Sequence, residues 1–261
     1  MFRSFKKLVC LALISLAPFA QAGEKMIKNV VLVHGAFVDG SSYRAVIQSL
    51  QAKGYQVTAV QNPLTSLDDD VAAVKQVLDR QDGDVVLVGH SWGGVVISEA
   101  GNHEKVKRLV YLSAIVPNNN ESAGQALSRH RQATSKNLNK EPNTKSDKDL
   151  QPDEKGMIWL PSAEVYQAVM ANDLPLQEVQ GLFATQTPIS AKAFGQAVTE
   201  PAWKTKPSYY LLAKQDNALP FKAQQSFAAM INAQTKTISG SHLSIISQPQ
   251  ATVELIELAA K

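Results

Sequence analysis

The sequence predicts an α/β fold: a mostly parallel sheet flanked by helices, with a helical cap inserted into it. Three observations carry this expectation. Short β-branched runs, at residues 30–33 and 85–88, have no polar face, as strands buried on both sides do not. Helical segments alternate with these runs, which implies parallel strands joined by crossovers. The alternation breaks between about residues 117 and 200 and then resumes, and a long excursion inside a compact domain is often functional.

In chain order, residues 30–33 form the first strand. Ser41 or Ser42 then caps a helix that carries Val46, Ile47 and Leu50 and stops near Gly54. Residues 55–60 are the second strand. Asp68, Asp69 and Asp70 open a helix that runs through Leu78, where acidic side chains suit the positive end of the helix dipole. Residues 85–88 are the third strand, followed by a sharp turn over 89–94, another helix, and a strand at Val106–Leu112. Residues 118–155 hold seven Lys/Arg and six Asp/Glu with few large apolar side chains, a solvated insertion. Trp159, Tyr166, Met170, Leu174, Leu182 and Phe183 follow on helical segments, and the stretch from about 117 to 200 reads as a cap. A strand at Ser208–Ala213, a helix over 221–231, a strand at 235–238 and a last helix from about Leu243 complete the pattern.

Composition narrows the function classes. The 261 residues are 44% hydrophobic and 19% charged, which excludes intrinsic disorder and fibrous repeats. The single cysteine, Cys10, excludes a disulfide scaffold and a Cys-built zinc site. The net charge of +3 resides in residues 1–22, where Arg3, Lys6 and Lys7 face no acid, so residues 23–261 are neutral. A neutral body has no electrostatic footprint for nucleic acid. Residues 1–22 read as an export signal: a basic start, a short apolar run over 8–16 and a small-x-small site at Ala20-Gln21-Ala22. That run is too short to span a membrane, and no later segment is apolar enough. The expected location is therefore periplasmic or secreted, after cleavage near Ala22, with residues 23–261 as the mature domain.

The strongest chemical signal is Gly89-His90-Ser91-Trp92-Gly93, a G-x-S-x-G between a buried strand and a helix. In that setting the glycines permit a tight elbow that lifts Ser91 Oγ clear of the sheet. A serine hydroxyl needs a base, and five histidines compete. His90 adjoins Ser91, but side chains of neighbours at such a turn diverge, so it reads as a spacer. His34 ends the first strand and reads as structural. His103 and His130 lie among charges and read as solvated. His242, in Ser239-Gly240-Ser241-His242, follows the last strand at the carboxyl edge where open α/β sheets place ligands. Asp216 follows the strand at Ser208–Ala213, again at a carboxyl end, and would orient the imidazole and stabilise its protonated form. The oxyanion needs two backbone donors. They are expected from Trp92, after the nucleophile, and Ala36, in the turn after the first strand. Phe37 is a candidate pocket wall, and Trp159, Tyr166, Leu182 and Phe183 are weaker candidates for lining the pocket, because packing the cap onto the sheet is the commoner role for any one of them.

These residues carry a resemblance. Residues 31–37, the elbow, Ala213-Lys214-Gln215-Asp216, Gly240-Ser241-His242 and residues 198–203 together resemble the α/β-hydrolase superfamily, and within it small bacterial carboxylesterases related to plant methylesterases and hydroxynitrile lyases. The resemblance implies the α/β-hydrolase fold and a nucleophile at Ser91. It also implies an acid at Asp216, a base at His242, oxyanion donors at Ala36 and Trp92, and a helical cap over the pocket. It implies hydrolysis of a small-molecule carboxylic ester without metal or cofactor. Two departures separate the chain from the lyases: Leu243 stands where they carry a lysine, and Gly35 where they carry a threonine. A lyase or perhydrolase using the same three residues is the alternative, and a ligand-binding receptor on this fold a more distant one.

Overall fold

The computed structural model describes residues 26–138 and 150–261. The export signal read over residues 1–22, with Cys10, lies outside them, as does part of the polar insertion, 139–149. At the centre is a six-stranded sheet of β1 (Asn29–Val33), β2 (Gln56–Val60), β3 (Val85–His90), β4 (Val106–Leu112), β9 (Ser208–Ala213) and β10 (Gln234–Ile238). The spatial order is β10-β9-β4-β3-β1-β2 and every pairing is parallel. From β1 the chain moves outward to β2, returns past β1 to β3, and then builds β4, β9 and β10 in the opposite direction. That reversal opens a crevice beyond the carboxyl ends of β1 and β3.

Side chains alternate across the strands and so build two cores. Val31, Val33, Leu87, Leu109, Tyr111 and Tyr210 face α2 (Leu67–Asp79), α3 (Gly93–Ala100) and the cap. Val30, Leu32, Val86, Val88, Val110 and Leu211 face α1 (Arg44–Ala52) and the C-terminal helix, Pro249–Ala259. Both faces are covered, which is why these strands read as unbroken apolar runs. Each fully buried aliphatic side chain contributes about 1.5–3 kcal/mol, so the carboxyl edge of the sheet is a rigid base for a site.

Between β4 and β9 the chain forms α4 (Ala123–Leu138), α5 (Ala163–Met170), α6 (Leu176–Ala184) and α7 (Ala191–Gly195). Two short antiparallel ladders tie this region together: β5 (Glu121–Ser122) with β8 (Ala197–Val198), and β6 (Met157–Ile158) with β7 (Ile189–Ser190). After β9 come α8 (Phe221–Met230), α9 (Ser244–Ser247) and α10 (Pro249–Ala259).

Several local expectations are revised. The polar stretch after residue 118 contains α4, whose Ala123 and Ala126 are fully buried and whose Leu127 packs on the same core. Their i, i+3, i+4 spacing marks one helical face, which the surrounding charges mask in the composition. Ser41 and Ser42 do not cap α1; Asp39 accepts the Ser41 N–H at 2.7 Å and starts a 3₁₀ turn, Gly40–Tyr43, ahead of it. The last helix is two helices, because Pro249 cannot donate a hydrogen bond to the preceding turn.

Candidate active site

The elbow joins β3 to α3. Ser91 has φ of 53°, a left-handed conformation that costs a non-glycine residue about 1–2 kcal/mol. Local bonds enforce it. The Ser91 N–H donates to the Leu112 carbonyl at 3.1 Å, and its carbonyl accepts Gly94 N–H at 3.0 Å and Ile115 N–H at 3.2 Å. A Cβ at Gly89 would lie 2.5 Å from the Gly93 carbonyl oxygen, and one at Gly93 would strike the Val33 carbonyl. Backbone from two strands and a helix therefore meets where only hydrogen side chains fit.

Ser91, His242 and Asp216 are brought together from three loops at the sheet's carboxyl edge. Ser91 Oγ lies 2.8 Å from His242 Nε2, and His242 Nδ1 lies 2.7 Å from Asp216 Oδ2. The Asp216 carboxylate is itself held: Oδ1 accepts the Ala218 and Leu219 N–H groups at 2.9 and 2.7 Å, and Oδ2 also accepts Gln224 Nε2 at 3.0 Å. A carboxylate so fixed orients the imidazole and can stabilise its protonated form. His242 and Asp216 are buried, whereas Ser91 is half-buried and reachable.

Ala36 and Trp92 lie beside Ser91. Among the described residues neither backbone N–H has a hydrogen-bond partner, whereas the next one, of Phe37, is taken by the Thr187 carbonyl at 3.0 Å. Two unpaired donors flanking a reachable hydroxyl are the arrangement a developing oxyanion would require. Phe37 is buried within the core under the cap. Leu182 and Phe183 are partly buried against that core, and Trp159 is 45% exposed.

The other histidines sort by their partners. His34 Nδ1 faces the Gly35 carbonyl at 2.9 Å and its Nε2 accepts the Asn62 N–H at 2.9 Å, so Nδ1 carries the proton. Burial holds this imidazole below its usual pKa, and the ring braces the turn that carries Gly35 and Ala36. His103 faces Asp79 at 3.1 Å and His130 is half-buried. His90 is more than a spacer. Its Nε2 donates to the His242 carbonyl at 2.9 Å, and its ring lies 4.8 Å from that of His242. Burial pushes its pKa well down, so it acts as a neutral donor that holds the His242 main chain.

Two further residues escape the sequence reading. Gln224, fully buried, bonds the Ala213 N–H and carbonyl, the Leu219 carbonyl and Asp216. Its signal was a polar side chain sharing the apolar face of Phe227 and Ala228 at i+3 and i+4. Asp70 corrects an expectation. Asp68 and Asp69 stay at the surface, where Asp69 accepts the Ser66 and Thr65 hydroxyls. Asp70 turns inward, is fully buried, and accepts the Trp92 indole N–H and the Leu64 N–H, each at 2.7 Å. Burial outweighs these two donors and raises its pKa to about 6. It supports the elbow rather than the helix dipole.

Comparison with known proteins agrees with this architecture. The model of the alpha/beta hydrolase family matches residues 30–255. An alpha/beta hydrolase of Aspergillus novofumigatus is 26% identical over 254 residues, 88% of this chain and 96% of the relative. Methylesterase 3 of Arabidopsis thaliana is 25% identical over 266 residues, covering 91% and 98%. The crystal structure of a pyrethroid hydrolase from Sphingobium faniae JZ-2 superposes with a TM-score of 0.72 at 23% identity, covering 90% of this chain and 97% of that one.

Proposed function

The chain belongs to the alpha/beta hydrolase family, and on that premise we propose that it is a serine carboxylesterase that works through an acyl-enzyme. The observation that carries this reading is the unbroken relay from Ser91 Oγ through His242 to Asp216, at 2.8 and 2.7 Å, beside two unpaired backbone donors. The hydrolase and esterase names of its relatives support the same class.

Ser91 Oγ attacks the ester carbonyl while His242 Nε2 takes its proton. The carbonyl oxygen becomes an oxyanion and receives hydrogen bonds from the Ala36 and Trp92 N–H groups. Collapse of the tetrahedral intermediate breaks the bond to the leaving oxygen, which His242 protonates, and the alcohol departs. Water then gives a proton to His242 and attacks the acyl-enzyme. The second intermediate collapses by breaking the bond from the acyl carbon to Ser91 Oγ, which takes the proton back from His242, and the acid is released. Asp216, hydrogen-bonded to His242 Nδ1, stabilises the imidazolium twice per cycle. No residue of this scheme calls for a metal or organic cofactor. The substrate is a small-molecule carboxylic ester, and the basic-then-apolar pattern of residues 1–22 supports a site of action outside the cytoplasm.

Ser91→Ala is expected to lower kcat on p-nitrophenyl acetate by about 10³–10⁶-fold with the fold intact. Wild-type turnover in that variant would refute the mechanism. Mandelonitrile assayed in parallel separates the lyase alternative: cleavage there without ester turnover would replace the proposal. Absence of fluorophosphonate labelling on native protein, with tight ligand binding, would point to a receptor.

A further inference from the structure

The oxyanion turn is held from above, by the cap. Phe37, next to Ala36, has φ of 64°, again a conformation costing about 1–2 kcal/mol. Both of its main-chain polar groups bond to cap residues. Its N–H donates to the Thr187 carbonyl at 3.0 Å, and its carbonyl accepts the Tyr166 hydroxyl at 2.9 Å. Tyr166 is fully buried, and its ring meets that of Phe183 edge-on at 6.4 Å. Burial raises the pKa of this phenol, so the hydroxyl remains a donor across the working range.

The same cap helix reaches the other loops of the site. In α5 the Ala168 carbonyl accepts the Asn217 amide at 2.8 Å, beside Asp216. The Met170 carbonyl accepts the Leu243 N–H at 2.8 Å, beside His242. Just beyond α5, Asp173 accepts the Ser241 N–H at 3.0 Å and the Ser247 hydroxyl at 2.7 Å. One short cap segment thus bonds the turns that bear Ala36, Asp216 and His242.

We propose that Tyr166 is a positioning residue for the reaction. Its hydroxyl locks the strained Phe37 peptide and so aims the neighbouring Ala36 N–H at the oxyanion. This assignment rests on the esterase reading above. It makes the cap a template for the site, not only a cover, because withdrawing α5 would release the oxyanion turn.

Tyr166→Phe removes one oxygen and keeps the ring. With p-nitrophenyl acetate, kcat is expected to fall about 10-fold or more while KM stays within about two-fold. Affinity for a trifluoromethyl ketone, which forms a tetrahedral adduct on the serine, should weaken in the same proportion. A lower melting temperature with unchanged kcat and ketone affinity would overturn the proposal and leave Tyr166 a packing residue. Fluorophosphonate labelling of the wild type at Ser91 runs alongside. No labelling would fault the esterase reading itself; labelling of the wild type with an unaffected variant faults only the role of Tyr166. Should Tyr166→Phe not fold, Phe183→Leu loosens the Tyr166 ring while keeping its hydroxyl. The two readouts are then expected to fall together by a smaller factor, and no change in either overturns the proposal.

Discussion

Replacing Asp70 with Asn should change how stability depends on pH. Among the described residues the buried carboxyl has no basic partner, and its pKa rises from 3.8 to about 6 although two N–H groups donate to it. A pKa raised on folding means that the native state binds the proton more tightly than the unfolded chain. The native state is thus favoured at low pH, and stability is lost as pH rises from about 4 to about 6. A shift of roughly two units corresponds to about 3 kcal/mol at about 1.36 kcal/mol per unit. Asn cannot ionise, so Asp70→Asn lacks this loss. It does lose one hydrogen bond, because its NH₂ must face either the Trp92 indole N–H or the Leu64 N–H, at a roughly pH-independent cost of about 1–3 kcal/mol. The variant should be clearly less stable than wild type at pH 4 and close to it at pH 8. Thermal melts of both proteins across that range test this, since titrations common to the two cancel in the difference. At about 2–4 °C per kcal/mol for a domain of this size, the gap in melting temperature should narrow by roughly 6–12 °C. A gap that stays constant from pH 4 to pH 8 would refute the argument that Asp70 is ionised at a cost.

Other expectations follow from the site's supports. Gln224→Met keeps volume but removes the bonds to Asp216 and to the Ala213 backbone; kcat should fall at least several-fold and stability by about 1–3 kcal/mol, read by turnover and denaturant titration. His90→Phe removes the donor to the His242 carbonyl and should lower kcat more than KM in steady-state assays. Gly93→Ala drives a methyl group into the Val33 carbonyl and should yield insoluble or strongly destabilised protein, checked by soluble expression and melting.

The strands were legible because their signal is local. Residues 30–33 and 85–88 are apolar on both faces, and only a doubly covered parallel sheet buries such runs. The elbow was legible because its glycines answer a short-range steric demand. The helix α4 was hidden, since its apolar face is three small or medium side chains among charges. The supporting polar residues were hidden for a different reason. Asp70 and Asp69 are adjacent and chemically identical, yet one is solvated and the other buried under Trp92. Asp70 and Trp92 are 22 residues apart in sequence and meet only through the path of the chain.

By itself the amino-acid order determined the alternating strands and helices, the sharp turn at Ser91, and the placement of Asp216 and His242 just beyond strand ends. All of these depend on contacts between near neighbours or on side-chain periodicity. Only the tertiary structure decided that His90 holds the His242 carbonyl, that Gln224 and Asp70 turn inward, and that Tyr166 reaches down from the cap to the Phe37 carbonyl. A buried polar group is specified by the partner that replaces its water, and that partner lies wherever packing brings it, at no fixed distance along the chain.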